Sequence, residues 1–237
     1  MDSMKPNIEG LLLVLIIGAG VLISGAQQSA SPGQDIQMRI VLEQQTGSTF
    51  RIVSPQHVFK TGDLVRFRVL SSSDGFLYVS DRAASGKYSE LFPAKGSDSD
   101  NRLEHGREYR IPAASRSWFR IEKPPGYETV FFTFTYSPLP RRSEAAPAFP
   151  AAAPQEPLPQ TRPAELIPRC DDALFRARGE CLDVNAGPSA VPPGTLAGSD
   201  ALTPRDVTIV PGPDISVVTP ATPGDTPIIY EFRIAHR

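Results

Sequence analysis

Cysteine is scarce, with 2 among 237 residues, so the chain is neither a scaffold stapled by several disulfides nor the holder of a cysteine-rich zinc site. The 3 histidines, His57, His105 and His236, are widely separated, with no pair at strand or helix spacing, and read as solvated loop side chains rather than metal ligands. A basic excess is lacking as well. With 24 Lys and Arg against 26 Asp and Glu, scattered rather than clustered, the chain has no electrostatic footprint for phosphates, and nucleic acid is not an expected partner. No Gly-x-Ser-x-Gly occurs and no Cys stands beside a base, so no catalytic residue is singled out and no cofactor or metal is expected. The acidic loop Asp98-Ser99-Asp100-Asn101 with Glu104 fails the calcium-loop pattern, because Arg102 fills the next acidic position and Leu103 the place of the turn glycine. It reads as a set of turn caps.

Long apolar runs are missing too. The longest, Leu11 to Ile23, falls short of the roughly 20 residues that cross a bilayer, and it follows Lys5 and leads into the small residues Ser24-Gly25-Ala26 before Gln27. Residues 1–26 therefore read as a secretory signal peptide, with retention of residues 11–23 as a membrane anchor the alternative. Membrane contact is expected only through that segment left uncleaved. In an oxidising compartment Cys170 and Cys181 are expected to pair.

What the sequence has in quantity is alternation. Ile36, Met38, Ile40 and Leu42 recur with period two, as do Val65, Phe67 and Val69, the mark of strands buried on one face. Ser73-Asp74-Gly75 reads as a hairpin turn joining the second of these to Phe76-Val79, and Tyr88 to Phe92 as a further strand stopped by Pro93. Trp118, Phe119 and Ile121 form the next, with Pro124-Pro125-Gly126 bending into Val130, Phe132, Phe134 and Tyr136, aromatic enough to be central. Strands at this spacing, with no long helical period between them, predict an all-β fold, an antiparallel β-sandwich of immunoglobulin-like or similar type, over residues 34–137.

Proline, 25 residues in all, is concentrated beyond that point. Residues 138–168 read as a Pro-rich linker with too little apolar bulk to order itself, and 169–227 as an irregular segment holding the cysteine loop, with short edge strands at Val207–Val210 and Ile215–Thr219. The last run, Ile228, Tyr230, Phe232 and Ile234, has one strongly apolar face. Residues 228–237 are expected to dock back on the sheet as its completing strand, which makes the proline-rich stretch an excursion within one domain.

Several phrases occur together in order: Phe59-Lys60-Thr61-Gly62-Asp63-Leu64-Val65-Arg66, Asp74-Gly75-Phe76-Leu77-Tyr78-Val79, Leu91-Phe92-Pro93 followed by Asp100-Asn101, Tyr109-Arg110-Ile111-Pro112, and Pro124-Pro125-Gly126. Residues 34–137 thereby resemble domain-of-unknown-function family 4384, a bacterial module, and the ending Ile229 to Arg237 is similar to that of its exported single-domain members. In other members the module is fused to caspase-like peptidase, kinase or repeat domains, which implies an accessory or interaction role. The family supplies no catalytic residues. With the signal peptide, the resemblance implies export to the periplasm or cell surface, with inner-membrane anchoring as the alternative.

Tyr78, Trp118, Tyr127 and Tyr136 are the candidate binding residues, an aromatic platform for a glycan or peptide, although large aromatics in alternating strands also build cores. The function expected is a binding or scaffolding module whose partner is an envelope protein or surface polymer. An envelope hydrolase with a site assembled from distant residues, or a purely structural spacer, are the alternatives.

Overall fold

The computed structural model describes residues 36–93, 100–113, 118–139, 168, 170, 172–191, 206–222 and 224–237. The expected signal peptide and nearly all of the proline-rich linker lie outside them. In chain order the strands are β1 (Met38–Thr46), β2 (Thr49–Val53), β3 (Val58–Phe59), β4 (Leu64–Ser71), β5 (Gly75–Arg82), β6 (Tyr88–Phe92), β7 (Arg102–Leu103), β8 (Glu108–Ile111), β9 (Phe119–Arg120) and β10 (Gly126–Thr135). A short helix α1 (Asp172–Arg178) precedes β11 (Gly187–Ala190), β12 (Val207–Pro211), β13 (Ser216–Pro220) and β14 (Ile228–His236).

They form two sheets. The first runs β12-β13-β1-β4-β8, with β2 on β1 and β9 on β4; the second runs β11-β14-β10-β5-β6, with β3 on β14 and β7 on β5. Pairing is antiparallel throughout except for the short β3–β14 ladder, which is parallel. The alternation explains the layers. Met38, Ile40, Leu42, Val65, Phe67 and Val69 project from the first sheet, and Leu77, Val79, Val130, Phe132, Phe134, Tyr230 and Phe232 from the second, into one core. Phe67 of β4 joins the layers, its ring edge-on to Phe132 at 5.2 Å and to Phe232 at 5.1 Å between centroids. An all-β sandwich is the architecture.

β10 is central, between β14 and β5, as its aromatic sequence implies. β14 pairs along nearly its whole length with β10, from Ile228 opposite Phe134 to His236 opposite Gly126. The expected hairpin at Ser73-Asp74-Gly75 is not formed. β4 pairs with β1, β8 and β9, whereas β5 pairs with β10, β6 and β7, so the turn carries the chain from one sheet to the other. Gly75 makes this crossing because its backbone lies against the Phe134 ring, with no room for a side chain. β9 and β10 are likewise in different sheets. The segment read as irregular contributes to both layers: β11 pairs with β14, and β13 lies between β12 and β1 and is therefore not an edge strand. Short, proline-flanked strands hide their period, which is why 169–227 reads as irregular in sequence.

Cys170 and Cys181 form a disulfide that closes the α1 loop. The loop is fastened to the sandwich just beyond the second cysteine: the Val58 amide donates to the Cys181 carbonyl at 3.0 Å and the Asp183 amide to the Gln56 carbonyl at 2.8 Å.

Candidate functional site

The outward face of the first sheet is set by the same alternation that fills the core. Because Leu42 and Phe67 point inward, their neighbours Glu43 and Arg66, which face each other across β1 and β4, point out. Pairing with β2 brings Ile52 beside Glu43 and Phe50 beside Gln45. Pairing with β8 brings Arg110 beside Arg68 and Glu108 beside Leu70, and β9 adds Arg120 beside Leu64. Toward the other edge, Arg39 faces Val217, and Val217 faces Val210.

Two features distinguish this face from an ordinary solvated one. The first is an aromatic–arginine cluster: Phe50 and Trp118 stack at 3.9 Å, and the Arg66 guanidinium carbon stands 4.3 Å from the Phe50 centroid and 4.4 Å from that of Trp118. A guanidinium in this position is held by the ring quadrupoles, typically for about 0.5–1 kcal/mol per contact at an exposed site. The second is an ion-pair chain. Glu43, 7% exposed, accepts from Arg66 and pairs with Arg68 at 2.9 Å; Arg68 also reaches Glu108 at 3.1 Å, and Arg110 lies 3.9 Å from the same carboxylate. A network of this kind fixes side chains that would otherwise sample many rotamers. Beside it Phe50 and Ile52 remain 41% and 45% exposed. The arrangement offers rigid apolar surface bordered by cations, which suits recognition.

The structure does not bring the four aromatic candidates onto one face. Trp118 belongs to the cluster just described. Tyr78, on β5 opposite Thr133, projects from the outer side of the second sheet, where its hydroxyl accepts from the Leu139 amide at 2.8 Å. Tyr127 packs with Val58, Ala186 and Ala235 and donates to Asp183 Oδ2 at 2.7 Å; burial first, then that hydrogen bond, pushes its ionisation up to about 12. Tyr136 packs on the core, edge-on to Phe134 at 5.4 Å. Phe50 and Ile52 escape a sequence reading because β2 is a short, exposed strand without alternating burial. Their i, i+2 spacing within Thr49-Phe50-Arg51-Ile52-Val53 is the signal that was there to find.

Two of the three histidines differ from the solvated loop residues expected. His105 is exposed, but His57 is buried edge-on to Phe59 at 4.7 Å, and burial, aided by the Arg51 charge, lowers its pKa. His236 is fully buried, with Nε2 3.2 Å from Glu128 Oε1. Near that pair Asp81 points into the sandwich opposite Val130, and burial, reinforced by the Glu128 charge, raises its pKa to about 7. In the described part of the acidic loop, Asp100 caps the Arg102 amide at 2.9 Å and Asn101 donates to the Leu77 carbonyl at 3.2 Å. Among the described residues no three His, Cys, Asp or Glu side chains are grouped to hold a metal, and no helix is long and apolar enough to cross a membrane.

No curated protein and no solved structure matches the chain. Residues 58–138, from β3 to just beyond β10, match the family model described as Domain of unknown function (DUF4384), and over this stretch the resemblance read in the sequence holds.

Proposed function

We propose that the protein is an exported binding module of the bacterial cell envelope that meets its partner through the outward face of the first sheet. The observation that carries this reading is the cluster of Phe50, Ile52 and Trp118, large apolar side chains left in part to solvent on a face where Arg66, Arg68 and Arg110 are ordered by Glu43 and Glu108. Exposed aromatics beside arginine are the composition of recognition surfaces, where a few such residues supply most of the binding energy. A sheet backbone holds them without the ordering cost that a loop would incur. Export is supported by the apolar run and small residues of the N-terminus, and by a cysteine pair joined in a disulfide, the state favoured outside the cytoplasm.

The test is capture from a bacterial envelope extract with the biotinylated full chain, run beside a Phe50→Ala/Ile52→Ser variant and a Val184→Ser control on another exposed apolar residue. A partner retained by wild type and control but lost from the double variant supports the reading. Retention that ignores the double variant removes the first sheet's face from the function. Fractionation of a producing bacterium checks export, and a chain found wholly in the cytoplasm sinks that part.

A further inference from the structure

We infer that the partner of this face is an acidic, extended protein segment that carries both carboxylate and aliphatic side chains on the side it turns to the sheet. The inference rests on the binding-module reading and adds the chemistry of the ligand. Its first ground is charge. The whole chain is slightly acidic, with a formal net charge of −2, yet five arginines, Arg39, Arg66, Arg68, Arg110 and Arg120, occupy outward positions of the first sheet against two carboxylates, Glu43 and Glu108. The excess is therefore positive on this face and negative over the rest of the molecule. The two carboxylates are already engaged, Glu43 with Arg66 and Arg68, Glu108 with Arg68 and Arg110. Arg39 and Arg120 form no ion pair among the described residues and, with Arg110, are exposed. An incoming carboxylate meets in Arg39 and Arg120 donors with no ion-pair partner to give up, and Arg binds it by donating two parallel N–H groups.

The second ground separates protein from other polyanions. Across the sheet apolar positions border the charges: Val210, Val217, Arg39, Leu70 and Glu108 lie in one cross-strand row, and Ile52, Glu43 and Arg66 in another. Val210 is 58% exposed. Burying such side chains yields about 25 cal/mol per Å² only if the ligand brings apolar surface of its own. An extended peptide turns every second side chain to the surface below it, so a segment with carboxylate and aliphatic residues both on that side meets arginines and valines together. An acidic polysaccharide supplies carboxylates but no aliphatic groups, and Phe50 and Trp118 each spend one ring face on the other rather than offering both to a sugar.

The probes are a short synthetic peptide repeating Glu-Glu-Leu-Leu, its glutamine–leucine analogue, and polygalacturonate, titrated by calorimetry into the full chain, into Arg39→Glu/Arg110→Glu and into Phe50→Ala/Ile52→Ser. The expected result is binding of the acidic peptide that weakens with salt, with roughly a tenfold or greater loss for the glutamine analogue and for each variant. Circular dichroism checks that the variants, all at exposed positions, keep the fold. Equal binding of the glutamine analogue overturns the acidic ligand while leaving the face as the binding surface, provided Phe50→Ala/Ile52→Ser still abolishes it. Preference for polygalacturonate overturns the protein class in favour of a glycan. Binding of the acidic peptide that both variants retain overturns the inference and the binding-module reading of this face together.

Discussion

The guanidinium of Arg66 is shared between Glu43, its cross-strand partner, and the ring of Phe50, 4.3 Å away. Glu43 also holds Arg68. Glu43→Gln therefore leaves two arginines on a largely buried spot without their common counter-charge, and is expected to destabilise by about 1–3 kcal/mol in urea unfolding. Adding Arg66→Met removes one stranded charge and keeps an apolar body against Phe50. The double variant should lose less than the two single losses combined. Additive losses would mean that the carboxylate does not organise the cluster.

Gly75 is the second sensitive point. A Cβ built there would overlap the Phe134 ring and lie 2.7 Å from the Thr135 carbonyl oxygen, both on β10, the central strand. Backbone cannot yield as a surface side chain does, so Gly75→Ala is expected to cost about 3 kcal/mol, read as a lower midpoint in urea at unchanged slope. Phe134→Leu, harmful alone as a core truncation, should partly relieve Gly75→Ala when combined with it. A Gly75→Ala variant as stable as wild type would show that the crossing between sheets has slack.

The strands that mattered most for the core were legible because burial of one face writes period two into the sequence; β1, β4, β10 and β14 are read from their residues alone. Long-range pairing was not. Ser73-Asp74-Gly75 has the composition of a hairpin turn, yet β5 joins β10 instead of β4, through pairings from Phe76–Thr135 to Arg82–Thr129 that no local pattern announces. The resemblance traced in sequence began at residue 34, whereas the family match begins at residue 58, so β1 and β2, and with them Phe50 and Ile52, lie outside it. The aromatic–arginine cluster was hidden for a related reason: Arg66 and Trp118 fall within the matched stretch, but the strand that stacks Phe50 on them is supplied from outside.

The disulfide offers a test of how the α1 loop serves the sandwich. Cys170 and Cys181 close a loop with a sequence separation of 11, for which constraint of the unfolded chain contributes about 2–3 kcal/mol. Cys170→Ser/Cys181→Ser should lose about that much, with the urea slope little changed, because α1 is exposed where its side chains are described and buries no part of the main core. Hydrogen exchange should quicken first at the Val58 and Asp183 amides, which tie this loop to the sheet. Slowed or unchanged exchange there would separate the disulfide from the docking.

Asp81 makes stability depend on pH in a direction opposite to most carboxylates. Its side chain points inward beside Val130; Glu128, on the same strand as Val130, adds negative charge, while Arg82 opposes the effect only in part. Oδ1 of Asp81 has no hydrogen-bond partner among the described residues, and Glu128 is itself occupied by His236 and the Ala84 amide. The folded pKa of about 7 exceeds the ordinary 3.8, so between these values the folded chain holds a proton that the unfolded chain has released. Stability from this group is intact below about pH 4 and declines as pH rises toward 7, by up to about 1.4 kcal/mol per pH unit. Asp81→Asn keeps the shape and removes the titration. Its stability relative to wild type should rise steadily from pH 4 to pH 7 and level off above, because only wild type carries the raised Asp81 titration. Urea unfolding of the pair at fixed ionic strength measures this. Parallel pH curves would mean that Asp81 is ionised in the folded chain throughout, with water reaching the carboxylate, and that the strand end carrying Asp81 and Glu128 is open to solvent.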